Sequence, residues 1–289
     1  MKCIFSGNDT NTEEHLIPQW LQRRFDLWNQ EYYLPNNTTI KYRNLKIPAE
    51  DVANQKFGEI EKNISEGIFN LDEVYLWAHK IHLGCIVRDS TLRLNIQVPD
   101  SPFMCDITAL GEDIWLFQKH FDVWRKKGTT TPSPFGSVFI IDSFNEKPSF
   151  EFFHCFSSGT IGIDIGEKFI LVFLWDQGDA VHLNILDDLN QVFLPRLAAY
   201  RGSDEYEYKK FMTLRIWLAE SAYKVYFHRR PMSLVASDTR LIATPPLGPR
   251  TIGRGSIEEL QQICHTFSIE AVVDEGGKTV GYQPYESRI

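Results

Sequence analysis

The sequence has no long apolar run, no surplus of positive charge, no regular cysteine spacing and no internal repeat. Its longest apolar run, FILVFLW at 169–175, is far below the roughly 18 residues that a membrane span needs. The opening residues, MKCIFSGND, are too short and too polar a stretch for a signal peptide. Both absences lead to the expectation of a soluble, cytoplasmic chain with no membrane partner. The net charge is −8, which excludes a generally basic nucleic-acid coat protein and makes any DNA contact local. The five cysteines, Cys3, Cys85, Cys105, Cys155 and Cys264, are odd in number and irregularly spaced, as expected of reduced thiols.

What is present suits a globular protein. Hydrophobic residues make up 43% and aromatics 13% of 289 residues, enough for one large domain or two ordinary ones with an aromatic-rich core. The most informative stretch is CIFSGNDTNTEEHLIPQWL at 3–21. Here His15 follows Glu13 and Glu14, and Leu16, Ile17, Pro18, Trp20 and Leu21 come close behind. Proline removes a backbone donor and ends regular pairing, so the spacing predicts that His15 is held at a strand end or in a tight loop.

The run EHLIPQWL resembles the HNH, or ββα-metal, nuclease superfamily. It is most similar to the bacterial branch that opens with Cys-x-x-Cys and continues Glu-His-(Ile/Leu)-Ile-Pro-x-Trp-Leu. The resemblance implies a β-hairpin followed by a helix that grips one metal ion. It implies His15 as the general base, Glu14 as the acidic metal ligand and Asn54 as the second ligand, through its side-chain oxygen. Hard oxygen ligands and remaining water positions suit one Mg²⁺ or Mn²⁺. One-metal phosphodiester cleavage needs a base for the water and a cation for the developing charge, held in line.

The branch's zinc pattern has decayed. Its first cysteine pair falls at Cys3 and Ser6, and its second at Glu50 and Ala53, so no Cys₄ site closes. The expectation is therefore of no structural zinc, with packing from the rest of the chain holding the hairpin. Two functions follow from the resemblance. One is a metal-dependent endonuclease acting on DNA, in the setting of bacterial defence against phage or mobile DNA, as a homo-oligomer or with a partner protein of the same system. The other is a catalytically degenerate module that binds DNA or a partner, or senses it, without turnover. Adjacent strand residues point to opposite sides, so Glu14 and His15 serve one phosphate only if the loop bends.

Along the chain, Lys2–Phe5 is expected as a short strand, WLQRRFDLW as helical and TIKYRNLKI as a strand. Asn54 is expected to open a helix carrying Phe57, Ile60 and Ile64 on one face; Glu61 is a candidate further ligand or support on it, with a solvated helix face the preferred reading. Helices are expected over 71–89 and 107–127, the latter stopped by Gly128. SVFIID, FEFFHCF, GTIGID and KFILVFL read as four strands with a tight turn at Gly166 and Glu167. A Pro195-interrupted helix over 187–200, a long helix over 205–228 and a loop over 231–255 follow. Ser256 and Glu259 form a capping box, and EAVVD–EGG–KTVGY ends the chain as a hairpin.

The expected fold class is α+β: an N-terminal ββα-metal module (1–70), a helical connector (71–135) and a mixed α+β domain with an antiparallel sheet (136–289). Three other features bear on function. SGTIGIDIGEK at 158–168 has glycines suited to phosphate, but lacks the Lys-Ser/Thr and helix of a P-loop, so a hairpin accounts for it better. His79 and His82 lie one helical turn apart as a possible metal pair, but with no third ligand placed beside them a packed or half-exposed helix face accounts for them better. Residues 209–255 hold nine Lys/Arg against two acids, a surplus of +7 that leaves −15 for the remainder. Arg229, Arg230, Arg250 and Arg254 in that span are candidate nucleic-acid backbone contacts.

Overall fold

The structure is a computed structural model that describes residues 2–130, 132–133, 135–145, 148–226, 233–237, 240–244, 255–276 and 278–285. It is a mixed α+β protein with antiparallel sheets. Its contacts divide the chain into two compact units, Met1–Thr131 with Leu234–Ile242, and Pro132–Ser233 with Ala243–Ile289. Among the described residues, no helix is long and apolar enough to cross a membrane.

In the first unit, β1 (Thr12–His15) is followed by α1 (Gln19–Arg24) and by a small antiparallel pair, β2 (Glu31–Tyr33) and β3 (Thr39–Lys41). β4 (Lys46–Ala49) then returns antiparallel to β1, with Glu14 opposite Ile47 and His15 opposite Lys46. TIKYRNLKI, expected as one strand, is split by a 3-10 turn at Tyr42–Asn44, and its halves pair with different strands. Lys2–Phe5 is also not a strand. Lys2 makes only an isolated bridge to Asp9, and residues 3–8 close a tight turn through Cys3 N–H to Asn8 O (2.9 Å) and Gly7 N–H to Cys3 O (2.9 Å). The positive φ of Gly7, 75°, is what that turn requires.

Three longer helices complete the unit: α2 (Asp51–Ser65), α3 (Leu71–Asp89) and α4 (Gly111–Lys127), the last preceded by a 3-10 turn at Ile107–Leu110. Phe57, Ile60 and Ile64 form the buried stripe of α2 as their spacing predicts, but the helix begins at Asp51, so Asn54 lies inside its first turn. The core centres on Phe5, Phe57, Phe117 and Phe121; the Phe5 and Phe57 rings are 5.0 Å apart and the Phe57 and Phe121 rings 5.5 Å. α3 is buried on all sides from Glu73 to Val87, its polar residues included. Gly84 permits this, because a Cβ there would stand 2.4 Å from Leu16 and 3.4 Å from Ile47. The hairpin can lie against α3 only where the helix has no side chain.

The second unit is built on a four-stranded antiparallel sheet in the order β5 (Ser137–Asp142), β8 (Lys168–Phe173), β7 (Thr160–Ile165), β6 (Phe150–Cys155). Both faces of β7 are buried and it is flanked on each side by a neighbouring strand. SGTIGIDIGEK is the β7–β8 hairpin; Gly166 takes φ 101° and donates its N–H to Asp164 Oδ1 (2.8 Å). The chain continues through α5 (Asp179–His182), α6 (Ile185–Asp188), a π-helical turn at Leu189–Phe193 and α7 (Leu194–Ala198) to α8 (Tyr206–Tyr226). Trp217 of α8 lies in the core with Phe153, Phe169, Phe173 and Phe267, its indole N–H satisfied by Ile185 O at 3.0 Å. The span 231–255, expected as loop, contains the paired strands β9 (Ser233–Ser237) and β10 (Arg240–Thr244). α9 (Ile257–Thr266) starts on the predicted Ser256/Glu259 capping box, and β11 (Ile269–Val273) pairs with β12 (Thr279–Pro284).

Candidate functional site

His15 is the last residue of β1, and Leu16 N–H still closes the ladder onto Leu45 O (2.9 Å). Pro18 then turns the chain into α1, and Leu16 and Ile17 are buried beneath it. The His15 ring is buried beside Trp28, at 5.8 Å between centroids. Its Nδ1 lies 3.3 Å from Gln22 Nε2, which also donates to Ile17 O at 2.7 Å. The carbonyl of Ile17 fixes which end of the Gln22 amide faces inward, since the reverse orientation would set two oxygens against each other. An amide nitrogen only donates, so His15 Nδ1 accepts and the neutral ring carries its proton on Nε2. In this arrangement the ring's lone pair is engaged. Burial holds its pKa below the usual histidine value, with the negative charge of Glu14 opposing.

Glu14, one residue earlier, goes elsewhere, as strand alternation demands. Its Oε1 accepts from Lys80 Nζ at 2.7 Å. Lys80, on α3, is completely buried and also donates to Glu61 Oε1 (2.6 Å) and to His15 O (2.9 Å). An ammonium has three N–H donors, and all three are used. The Phe57 ring, 5.5 Å from Nζ, adds a cation–π contact. Although burial alone would lower its pKa, the two carboxylates more than offset that and hold Lys80 above the usual lysine value. Burial pushes Glu61 up to about 7, with Lys80 opposing and Glu14 adding to the shift. Two carboxylates share one cation, and the excess negative charge favours keeping one proton.

One expectation is corrected here. Glu61 is not a solvated position on α2: its side chain is only 15% exposed and points to Lys80. His79 and His82 belong to a packed helix face, where both are fully buried. Burial holds the pKa of His79 and of His120 down to about 3. Among the described residues, no hydrogen bond joins Asn54 to Glu14 or His15. Asn54 is half-buried, its backbone N–H bonds Glu50 O (2.9 Å), and among the described residues its amide makes no side-chain hydrogen bond. Asn54 stands seven residues before Glu61, or ~10 Å along the helix axis.

These groups do not fit a divalent metal ion at Glu14. The carboxylate that the resemblance assigns to the metal already neutralises a buried cation, and a second cation beside Lys80 would be repelled in a poorly screened interior. Lys80 was missed in the sequence, yet it left a signal. Its helical neighbours three and four residues away are Leu76, Trp77, Leu83 and Gly84, so the lysine sits inside an apolar stripe, where a charge must be paired.

The zinc-cysteine positions of the resemblance have a different fate. Cys3 is buried, and its Sγ accepts the Glu50 N–H at 3.2 Å. The Glu50 carboxylate accepts from Asn8 Nδ2 at 3.1 and 3.3 Å and from the Ser6 side chain. Ala53 brings a buried methyl group. Positions 3, 6 and 50 are thus still joined, by hydrogen bonds. The candidate backbone contacts Arg229, Arg230, Arg250 and Arg254 lie outside the described residues. No family model matches the chain, and no curated protein or solved structure matches it either.

Proposed function

We propose that the first unit is a catalytically degenerate module of HNH type, and that the protein binds DNA without cutting it. The observation that carries this reading is the buried Lys80 ammonium between the carboxylates of Glu14 and Glu61. It supplies the positive charge that the resemblance would assign to a metal ion, but at a buried position where it cannot reach a phosphate. The engaged Nδ1 of His15 supports the same reading, since a general base needs a free lone pair facing its water. The local basic surplus of residues 209–255 is the feature that fits a DNA backbone.

Supercoiled plasmid incubated with Mg²⁺ or Mn²⁺ tests it. The wild type and His15→Ala should leave the plasmid equally intact, while gel shift shows binding that weakens steeply with salt. A second reading, an active metal-dependent endonuclease, is favoured by the antiparallel β1–β4 pair running on into α2, with His15 at the strand end. Metal-dependent nicking by the wild type that His15→Ala abolishes would establish that reading and end the first.

A further inference from the structure

The second unit holds a cavity of about 650 Å³, within the range of small-molecule sites. One wall is the α8 face that carries Thr213, Ile216, Glu220 and Lys224, and the opposite edge is β12 from Thr279 to Tyr282. The third side is the segment from α6 to α7, where the chain leaves α-helical winding for a π-helical turn at Leu189–Phe193. A π turn is a costly local irregularity that recurs at functional sites. This one puts Val192 and Phe193 on the cavity wall.

The polar groups of the cavity are not equivalent. Lys224 is ion-paired with Asp188, and Glu220 accepts the Tyr282 hydroxyl at 2.9 Å. Those four groups are internally satisfied. Arg196 also lines the cavity, and among the described residues it has no ion pair or hydrogen bond. Along α8 the Lys224 and Thr213 positions are ~16 Å apart. Ile216, Val192 and the 63%-exposed Val280 form apolar surface. An unpaired guanidinium beside an apolar trough is suited to a carboxylate, sulfonate or phosphate group on an apolar body.

We infer that this cavity is a binding site for a small organic anion, with Arg196 as the residue that recognises its charge. The inference stands apart from the reading of the first unit and survives its failure.

Fluorescence titration of the full chain with 1-anilinonaphthalene-8-sulfonate tests it, beside the uncharged analogue N-phenyl-1-naphthylamine. The anionic probe should bind saturably at one site and more tightly than the neutral one. Arg196→Gln should weaken the anionic probe about tenfold and leave the neutral one unchanged, with Arg196→Lys recovering part of the loss. A Cβ at Gly281 would meet no atom within 4 Å, so Gly281→Val fits the strand while narrowing the cavity at β12, and should weaken binding of both probes. Phe103→Ser, at an exposed phenylalanine of the other unit, should change nothing. Equal binding by the wild type, Arg196→Gln and Gly281→Val would overturn the site. So would a neutral probe that binds as tightly as the anionic one, or a titration that never saturates.

Discussion

The two ends of the β1–β4 pair differ from the sequence pattern they resemble in opposite ways. At the Thr12/Ala49 end, the letters differ from the pattern, yet the residues at those positions meet. The Cys3 sulfur accepts the Glu50 backbone N–H, and the Glu50 carboxylate accepts from the Ser6 side chain. At the His15 end, the letters persist and the chemistry has changed. Glu14 and His15 stand where the pattern puts them, but a lysine 66 residues from Glu14 along the chain fills the space beside the carboxylate. A motif therefore records which side chains are available at a place. It does not record which distant side chain will occupy it.

The comparison can be broken most forcefully at the first end. If positions 3, 6, 50 and 53 still converge, the triple change Ser6→Cys, Glu50→Cys, Ala53→Cys should complete a tetrahedral thiolate set around one metal ion. Saturating Zn²⁺ should then stabilise the variant by about 5 kcal/mol or more, read as a rise in thermal midpoint that a chelator reverses. Co²⁺ should give the absorption of a tetrahedral thiolate complex. A variant that folds yet shows no such absorption would mean that the four positions are not gathered, and the likeness between the two ends would be lost.

The next effect belongs to the other end. Lys80→Met leaves Glu14 and Glu61 buried without their cation, which should cost about 3–5 kcal/mol in urea unfolding. Adding Glu14→Gln and Glu61→Gln removes the orphaned charges, and most of that loss should return. A Lys80→Met loss below about 1 kcal/mol, the range of exposed pairs, would show that the ammonium does not hold the site.

How much of this was legible in the sequence follows from the range of each interaction. The helix over 71–89, the four strands of the second sheet, the Gly128 stop and the Ser256 capping box were read correctly because local periodicity and local hydrogen bonds decide them. The break in TIKYRNLKI was not, because the change of partner between β3 and β4 is a long-range event. His15 at a strand end was legible from Pro18, which acts within three residues. Glu61 was misread because a single carboxylate on a helix is solvated by default. Only the burial of Lys80 makes it otherwise, and that burial depends on α3 being enclosed on every side.

The smallest effect sharpens the comparison within α3 itself. Lys80 is buried with three acceptors and stays charged. His79, its neighbour, is buried with neither ring nitrogen hydrogen-bonded and stays neutral. The folded-state pKa of His79 is about 3 against an ordinary 6.5, so the unfolded chain takes up its proton first. The stability that this group contributes is complete above pH 6.5 and is lost progressively as the pH falls toward 3, by at most ~1.4 kcal/mol per pH unit. His120 acts with the same sign. Glu61 has a raised folded-state pKa, so its contribution is lost as the pH rises through about 7 and regained on acidification. Both groups are common to the wild type and to His79→Phe, so the difference between the two proteins isolates His79. Urea midpoints measured from pH 7.5 to 4.5 should fall more steeply for the wild type than for His79→Phe, with the curves diverging below pH 6.5. Parallel curves would mean that His79 is protonated in the fold as readily as in the unfolded chain, and that α3 does not separate His79 from Lys80 as the geometry requires.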